Sequence, residues 1–348
     1  MTGRAWSRRG LLVAGGAGLL AAGCTRLPDL ANIAAPTASA SSTAVAQTAV
    51  SSSGVVAGPA SVQFDLNGRV HASFREVRLH EAQHSLQGIG YDIVNRRTFA
   101  VQARDGRPGA DLCINQLSAS GKVLAHMDVD NAGHGQSFGV ETVGSASYLW
   151  FECDATENSE NGRGTGLARF EFVPGKKPQA RKYLTGSAEI GCAVDPVHHR
   201  LLVRRLEGNE VWYRLYRLSD AAANDFSRPL ASITEPPNRQ LQPDGRTAVL
   251  QAFTVLGTYV YTWLGTGGHS GAAGDPLNSY LSAIDLRTGK IVQQQLITAG
   301  RSLMFREPEA LGIDVLHGVP RLCFGFASRP GPSSPVRLAT VYYLDTLL

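Results

Sequence analysis

The feature that most constrains this chain is a five-fold internal repetition. Its clearest copy, residues 133–152, reads GHGQSFGVETVGSASYLWFE: a polar lead-in, a short alternating run, a Gly/Ser turn and an apolar aromatic run. The pattern recurs at residues 84–102, 189–203, 249–264 and 309–326, with Gly90, Gly139, Ala193, Thr254 and Gly312 in equivalent positions. A spacing of about 50 to 60 residues is the period of propeller-like arrays. Each hairpin is followed by a second pair of strand signals, as at 112–117 and 123–129 around Ser120-Gly121, or 280–286 and 291–297 around Thr288-Gly289. Period-two alternation, β-branched residues and Gly-centred turns are strand signals, and no amphipathic 3.6-residue period runs through the repeats. Four strands per unit and five units predict an all-β fold, a five-bladed β-propeller with four-stranded antiparallel blades. A stacked β-solenoid is the alternative, although its repeats are usually shorter and more regular.

The two ends predict how the ring closes. Residues 62–77 resemble the last half of a blade, and residues 338–344 (LATVYYL) resemble a third strand. A fifth blade completed by the N-terminal strand pairs both edges, which otherwise present unsatisfied backbone groups.

Before the repeats lie two segments of different character. In residues 1–23, Arg4, Arg8 and Arg9 precede an apolar run too short to span a bilayer, the pattern of a targeting leader. Ser7-Arg8-Arg9-Gly10-Leu11-Leu12 resembles a twin-arginine signal. Ala21-Ala22-Gly23-Cys24 resembles a bacterial lipobox with Ala where Leu is usual, which implies cleavage before Cys24 and a lipid on its sulfur; ordinary cleavage without a lipid is the plainer alternative. Residues 24–60 are rich in Ala, Ser and Thr and nearly uncharged, the composition of a disordered tether. The propeller is expected over 61–348. The protein is thus expected to leave the cell by the twin-arginine route and to stay on the outer face of the cytoplasmic membrane as a lipoprotein.

The formal net charge is +4, and Arg4, Arg8 and Arg9 of the leader account for three of those charges, which leaves +1 for the rest. A near-neutral chain without basic clusters argues against nucleic acid as a partner. Cys113, Cys153, Cys192 and Cys323 fall in or at the ends of predicted strands of four different blades. No CxxC or Cys/His ligand spacing is present, so no metal and no cofactor are expected. Buried free thiols are the favoured reading, and one disulfide of unknown pairing is the alternative.

The repeat also carries a family resemblance. GHGQSFGVETVGSASYLWFE, followed by Gly162-Arg163-Gly164-Thr165-Gly166-Leu167-Ala168-Arg169-Phe170, resembles the β-propeller of staphylococcal phage receptor-binding proteins, teichoic-acid biosynthesis protein C-like proteins and helveticin-type bacteriocins. Gln87-Gly88-Ile89-Gly90-Tyr91-Asp92 and Phe305-Arg306-Glu307-Pro308-Glu309-Ala310 fit the same pattern, over roughly residues 64–348. The resemblance implies a five-bladed propeller and, from the phage members, recognition of cell-wall glycopolymers. The chain departs from it in blade four, which has lost most of the motif, and in its expected lipoprotein leader.

The first strand of each blade lines the axis of a propeller, so equivalent positions converge there. One position reads Gln87, Gln136, Ile190, Gln251 and Glu309. Such amides and acids either meet sugar hydroxyls or bond neighbouring blades. Just before it lie His84, His134, Arg306 and Glu307, expected near the mouth of the channel, where they either bind phosphate or sugar or cap strands. Asp92, Glu141, Asp195 and Asp314 recur where the first strand meets its turn, and are expected to bond the turn backbone. Glu189, Glu307 and Glu309 are the carboxylates at the inner mouth that a glycosidase would need to pair. Residues 135–139 (GQSFG) match the G-x-S-x-G serine-hydrolase pattern, but a strand follows where the motif requires a helix, so no catalytic role is assigned to Ser137.

These readings converge on an exported, membrane-tethered, non-catalytic module that binds a cell-wall or surface glycopolymer. The ligand set expected at the mouth is His84, Gln87, His134, Gln136, Glu189, Gln251, Arg306, Glu307 and Glu309. A glycan-cleaving enzyme, or a bacteriocin-like lytic or interaction protein, is the alternative.

Overall fold

The computed structural model describes residues 61–104, 111–155, 162–238, 240, 245 and 247–348. The leader, Cys24 and the tether lie outside the described residues. Five four-stranded antiparallel sheets account for nearly all the secondary structure. Strand β1 (Val70–Val77) belongs to the last sheet. Blade 1 is β2 (Leu86–Asp92), β3 (Arg97–Ala103), β4 (Leu112–Leu117) and β5 (Val123–Val129). Blade 2 is β6 (Gly139–Val143), β7 (Ala146–Cys153), β8 (Gly166–Glu171) and β9 (Arg181–Tyr183). Blade 3 is β10 (Ile190–Asp195), β11 (Arg200–Glu207), β12 (Glu210–Arg217) and β13 (Ala231–Thr234), with the one-turn helix α1 (Leu218–Ala222) between its last two strands. Blade 4 is β14 (Val249–Leu256), β15 (Tyr259–Gly265), β16 (Tyr280–Asp285) and β17 (Lys290–Leu296), and blade 5 begins with β18 (Met304–Leu316), β19 (Val319–Arg329) and β20 (Leu338–Leu344).

The ring closes as expected, with one correction. Strand order in blade 5 is β1-β20-β19-β18, so the N-terminal strand is the outer edge of the last blade. It supplies one strand, Val70–Val77, and a bridge from Phe64 to Leu347, rather than half a blade. The first strands contact one another in the closed cycle β2, β6, β10, β14, β18 and back to β2, so they surround the axis.

Direct packing of those first strands explains the recurrent glycines. A Cβ on Gly90 would lie 2.7 Å from the Phe138 ring, one on Gly139 2.2 Å from Val194 Cγ2, and one on Gly312 2.6 Å from the Ile89 carbonyl oxygen. Each contact reaches into a neighbouring blade, where no larger residue fits without displacement. Apolar residues fill the wedges between blades: Phe138, Phe151 and Phe170 of blade 2 cluster with Phe99, Val101 and Ile114 of blade 1. Cys113, Cys153, Cys192 and Cys323 are free and buried, and burial pushes the thiols of Cys113, Cys153 and Cys323 up to about 12.

The acids at the turns bond more than their own hairpins. Asp92 accepts from the Asn95 backbone N–H at 2.9 Å, and also from Thr142 Oγ1 of blade 2 at 2.7 Å. Asp195 accepts from the backbone N–H of Val197 at 3.0 Å and from that of Gly257 in blade 4 at 2.6 Å. Glu141 departs from the pattern, because it accepts from Arg169 at 2.8 Å and from Trp150 Nε1 at 2.7 Å, both in its own blade.

Candidate functional site

The N-terminal ends of the five inner strands share one face of the ring, and the position picked out by sequence has a backbone cause there. Leu86 pairs with Gln102 and Gly88 with Val101, so Gln87 is an unpaired extra residue in β2. Gln251 is bypassed in β14 in the same way, between the pairs Leu250–Leu264 and Ala252–Trp263. Glu309 is bypassed in β18, between Pro308–Phe326 and Ala310–Gly325. One extra residue in a strand kinks it and re-aims the side chain. Three blades thus share a bulge at the Gln/Glu position.

Strand β18 carries a second irregularity just upstream, where Met304 pairs with Arg329 and Glu307 with Ala327. Phe305 and Arg306 absorb it with φ of +73° and +32°, left-handed backbone that side chains other than glycine adopt at a cost. The guanidinium groups of Arg329 and Arg337 lie 4.4 and 5.0 Å from the centre of the Phe305 ring. Arg329 Nε and Arg337 Nη1 are buried donors without a hydrogen-bond partner among the described residues.

Behind this cluster Glu307 and Glu309 are close enough to shift each other's titration, while Gln87 Nε2 donates to the Leu86 carbonyl at 3.2 Å. Burial, and then the neighbouring Glu307, hold the Glu309 carboxyl well above the ordinary carboxylate range. Burial raises Glu307 as well, against the pull of Glu309, the Gly267 N–H and Arg329. Neighbouring carboxyls, one buried and one half-buried, do not both ionise cheaply, which is the direction of both shifts.

Arg306 does not belong to the mouth, and this corrects the sequence expectation. It is fully buried. Nε and Nη2 donate to the Ala299 carbonyl at 3.0 and 2.7 Å, Nη2 also to that of Ile297 at 2.8 Å, and Nη1 to Ser279 Oγ at 2.9 Å. Its guanidinium stacks 4.1 Å from the Phe326 ring centre, and burial lowers its pKa to about 10. It ties the connection between blades 4 and 5 to the core.

The other glutamines bond backbone. Gln136 Nε2 donates to the Leu250 carbonyl at 3.1 Å, a link from blade 2 to blade 4, and Gln251 Nε2 donates to Gly265 in its own blade at 3.3 Å. Ser137 Oγ accepts from the Phe253 backbone N–H at 2.8 Å, which makes its hydroxyl a second link from blade 2 to blade 4. The loop that carries His134 and Gln136 is held from below: buried Glu152 accepts from the N–H groups of Gly135 at 2.7 Å and Gly164 at 2.6 Å. His84 Nδ1 lies 3.7 Å from Glu81. The Arg337 N–H donates to Ala82 at 2.8 Å, which fastens the His84 loop to blade 5.

Glu189 is drawn into an ion-pair network at blade 3. Arg204 Nη1 donates to it at 2.6 Å and Arg204 Nη2 donates to Glu235 at 2.7 Å, while Tyr213 donates to Glu235 at 2.8 Å and Arg163 Nε lies 3.8 Å from Glu189. Arg204 and Glu235, with Thr234, Asn238 and Leu250, line a cleft of about 490 Å³ between blades 3 and 4. Sequence reasoning missed Phe305, Arg329, Arg337, Arg204 and Glu235 as site residues. Arg329 ends β19 opposite Met304, Arg337 immediately precedes β20 and Glu235 immediately follows β13, so no shared sequence motif marks them as one site.

No curated protein matches this sequence. Among solved structures, the tail fibre of Staphylococcus aureus phage P68 superposes with a TM-score of 0.63 at 16% identity, over 81% of this chain and 54% of that one. The chain therefore spans about half the length of that fibre, and the likeness is one of fold. An exo-β-1,3-galactanase from Clostridium thermocellum (TM-score 0.42, 11% identity, 80% of this chain and 64% of that one) and a thermostable family-43 glycoside hydrolase (0.41, 8%, 74% and 88%) are more distant. Residues 85–313, well over half of the chain, match the model of the phage five-bladed β-propeller receptor-binding platform domain, and the chain belongs to that family.

Proposed function

We propose that this protein is an exported, lipid-anchored recognition module, which binds a cell-wall or surface glycopolymer at the mouth of its propeller without cleaving it. The observation that carries the reading is the Phe305 cluster. A left-handed aromatic residue is flanked by two arginines whose buried donors have no hydrogen-bond partner among the described residues, beside two carboxyls with raised pKa values. Strained backbone persists where the surroundings over-determine it, and such places are disproportionately functional. An aromatic ring offers a surface to sugar C–H faces, and guanidinium donors match hydroxyl or phosphate oxygens. The family's description as a receptor-binding domain supports the same reading. His84, His134 and the adjacent cleft at Arg204 and Glu235 extend the surface available to a polymer.

The carboxylates favour binding over hydrolysis. Glu309 is buried, whereas the two carboxyls of a glycosidase must both flank the scissile bond. Glu189 is held by Arg204.

Co-sedimentation of the protein with purified bacterial cell walls tests this, with wild type compared to Arg337→Gln and the supernatant assayed for released sugar. Wild-type binding that drops about tenfold or more in the variant, with no sugar released, is expected. Release of sugar would make the protein an enzyme, and equal binding by the variant would remove the mouth as the site.

A further inference from the structure

A second cleft lies away from the mouth, on the flank between blades 2 and 3. Strand pairing puts Arg205 opposite Trp212, Val203 opposite Arg214 and Leu201 opposite Tyr216, so these side chains share the face of blade 3 that looks toward blade 2. The outer strand of blade 2, β9, is only three residues long, and Leu184 after it turns away with φ of +46°. The neighbouring blade therefore leaves the end of that face open. Phe226, Ser227 and Pro229, which follow α1, build the opposite wall of a cavity of about 250 Å³.

Its lining combines three aromatic rings with two arginines, and the acid Glu207 pairs with those arginines from outside the lining. Arg214 donates to Glu207 through both terminal nitrogens, at 2.5 and 2.8 Å, and lies 5.2 Å from the centre of the Trp212 ring. That bidentate pairing and the ring contact fix the orientation of one guanidinium. Arg205 approaches the same Glu207 only to 3.6 Å, and its Nε is a buried donor without a hydrogen-bond partner among the described residues. Two positive charges thus share one negative charge, and a donor remains to be satisfied.

We propose that this cleft is a second ligand site, which takes a single sugar ring bearing an anionic group, a phosphate or a carboxylate. The volume argues for one ring, since it lies below the roughly 300–1,000 Å³ of sites for larger ligands. Trp212, Tyr216 and Phe226 supply apolar walls for the C–H face of a ring. Arg205, steered by the excess positive charge, supplies the fork for the anion. Ser227 is placed in the wall to meet a hydroxyl. This site does not depend on the mouth, so either can fail alone.

Intrinsic fluorescence of the full chain gives a direct test. Of the four tryptophans, Trp6 lies outside the described residues, Trp150 and Trp263 are fully buried and Trp212 is partly exposed in the cleft, so a ligand-induced change that Trp212→Phe removes reports occupancy. Glucose 1-phosphate and glucuronate should each give a saturable change at millimolar concentration, with glucose and inorganic phosphate each at least tenfold weaker. Trp212→Phe should abolish the signal, Arg205→Gln should weaken binding at least tenfold, and Arg205→Lys should fall between. An equal response to glucose would refute the arginine fork, and an equal response to inorganic phosphate would refute the sugar ring. Absence of saturation by either acidic sugar, or unchanged affinity in Arg205→Gln, would overturn the proposal outright.

Discussion

Gly139→Ala isolates the constraint that closes the ring. A methyl at Gly139 would stand 2.2 Å from Val194 Cγ2, 2.9 Å from Val194 Cβ and 3.0 Å from the Val194 backbone nitrogen. Val194 is buried and β-branched, with little rotamer freedom, and its strand is fixed by the ladder to β11, so blades 2 and 3 must separate slightly. Overpacking of this kind costs about 1–3 kcal/mol. Loss of glycine freedom in the unfolded chain returns about 0.4–1 kcal/mol, since Gly139 does not have a positive φ. The difference, about 0–2.6 kcal/mol with a midpoint of about 1.3, should lower the melting temperature by roughly 3–5 °C at that midpoint in a scanning-calorimetry or circular-dichroism melt. Val194→Ala removes the closest atom, so the double variant should be more stable than the two single effects predict, by about 1 kcal/mol or more. Additivity within about 0.5 kcal/mol, or a Gly139→Ala protein as stable as wild type, would show that direct contact of inner strands does not impose glycine there.

The carboxyl pair and the expected anchor give two further predictions. Because the Glu309 carboxyl is raised in the folded protein, the native state holds more protons than the unfolded chain once pH exceeds the ordinary glutamate value. Stability therefore falls as pH rises through that window, by about 1.4 kcal/mol for each unit of pKa elevation that is traversed. Glu309→Gln should accordingly raise the melting temperature relative to wild type at pH 8 and have little effect near pH 4; the reverse order would mean that the pair is ionised. Cys24→Ala should move the protein from the membrane fraction to the soluble exported fraction, and continued membrane retention would refute the lipid anchor.

The blade count, strand pairing and closure by the N-terminal strand were legible in the sequence because they rest on local signals. Turn residues such as Asn95 and Gly144, period-two alternation and a constant repeat length are short-range properties, and five copies reinforce them. The N-terminal contribution was overstated, as one strand rather than half a blade, because residues 62–69 alternate like a strand but find only the Phe64–Leu347 bridge. The Gln/Glu position was also visible as a column, since a bulge repeated in three blades leaves a repeated residue type.

What those side chains do was decided only in three dimensions. Arg306 reads as a mouth cation in one dimension, yet two consecutive left-handed residues turn it under blade 5 into a cage of carbonyls. Gln136 reads as a ligand group, and its amide spans to a backbone carbonyl of blade 4, 114 positions away. The arginines over Phe305 and the aromatic cleft of blade 3 come from residues without any sequence motif. The physical reason is the same in each case. Alternation, turns and repeat length act over a few residues, and so the sequence by itself determined that there would be five blades closed into a ring. The direction of a bulged side chain, the raised pKa values of Glu307 and Glu309 and the opening left by the short β9 depend on which blade stands opposite, which only the assembled ring decides.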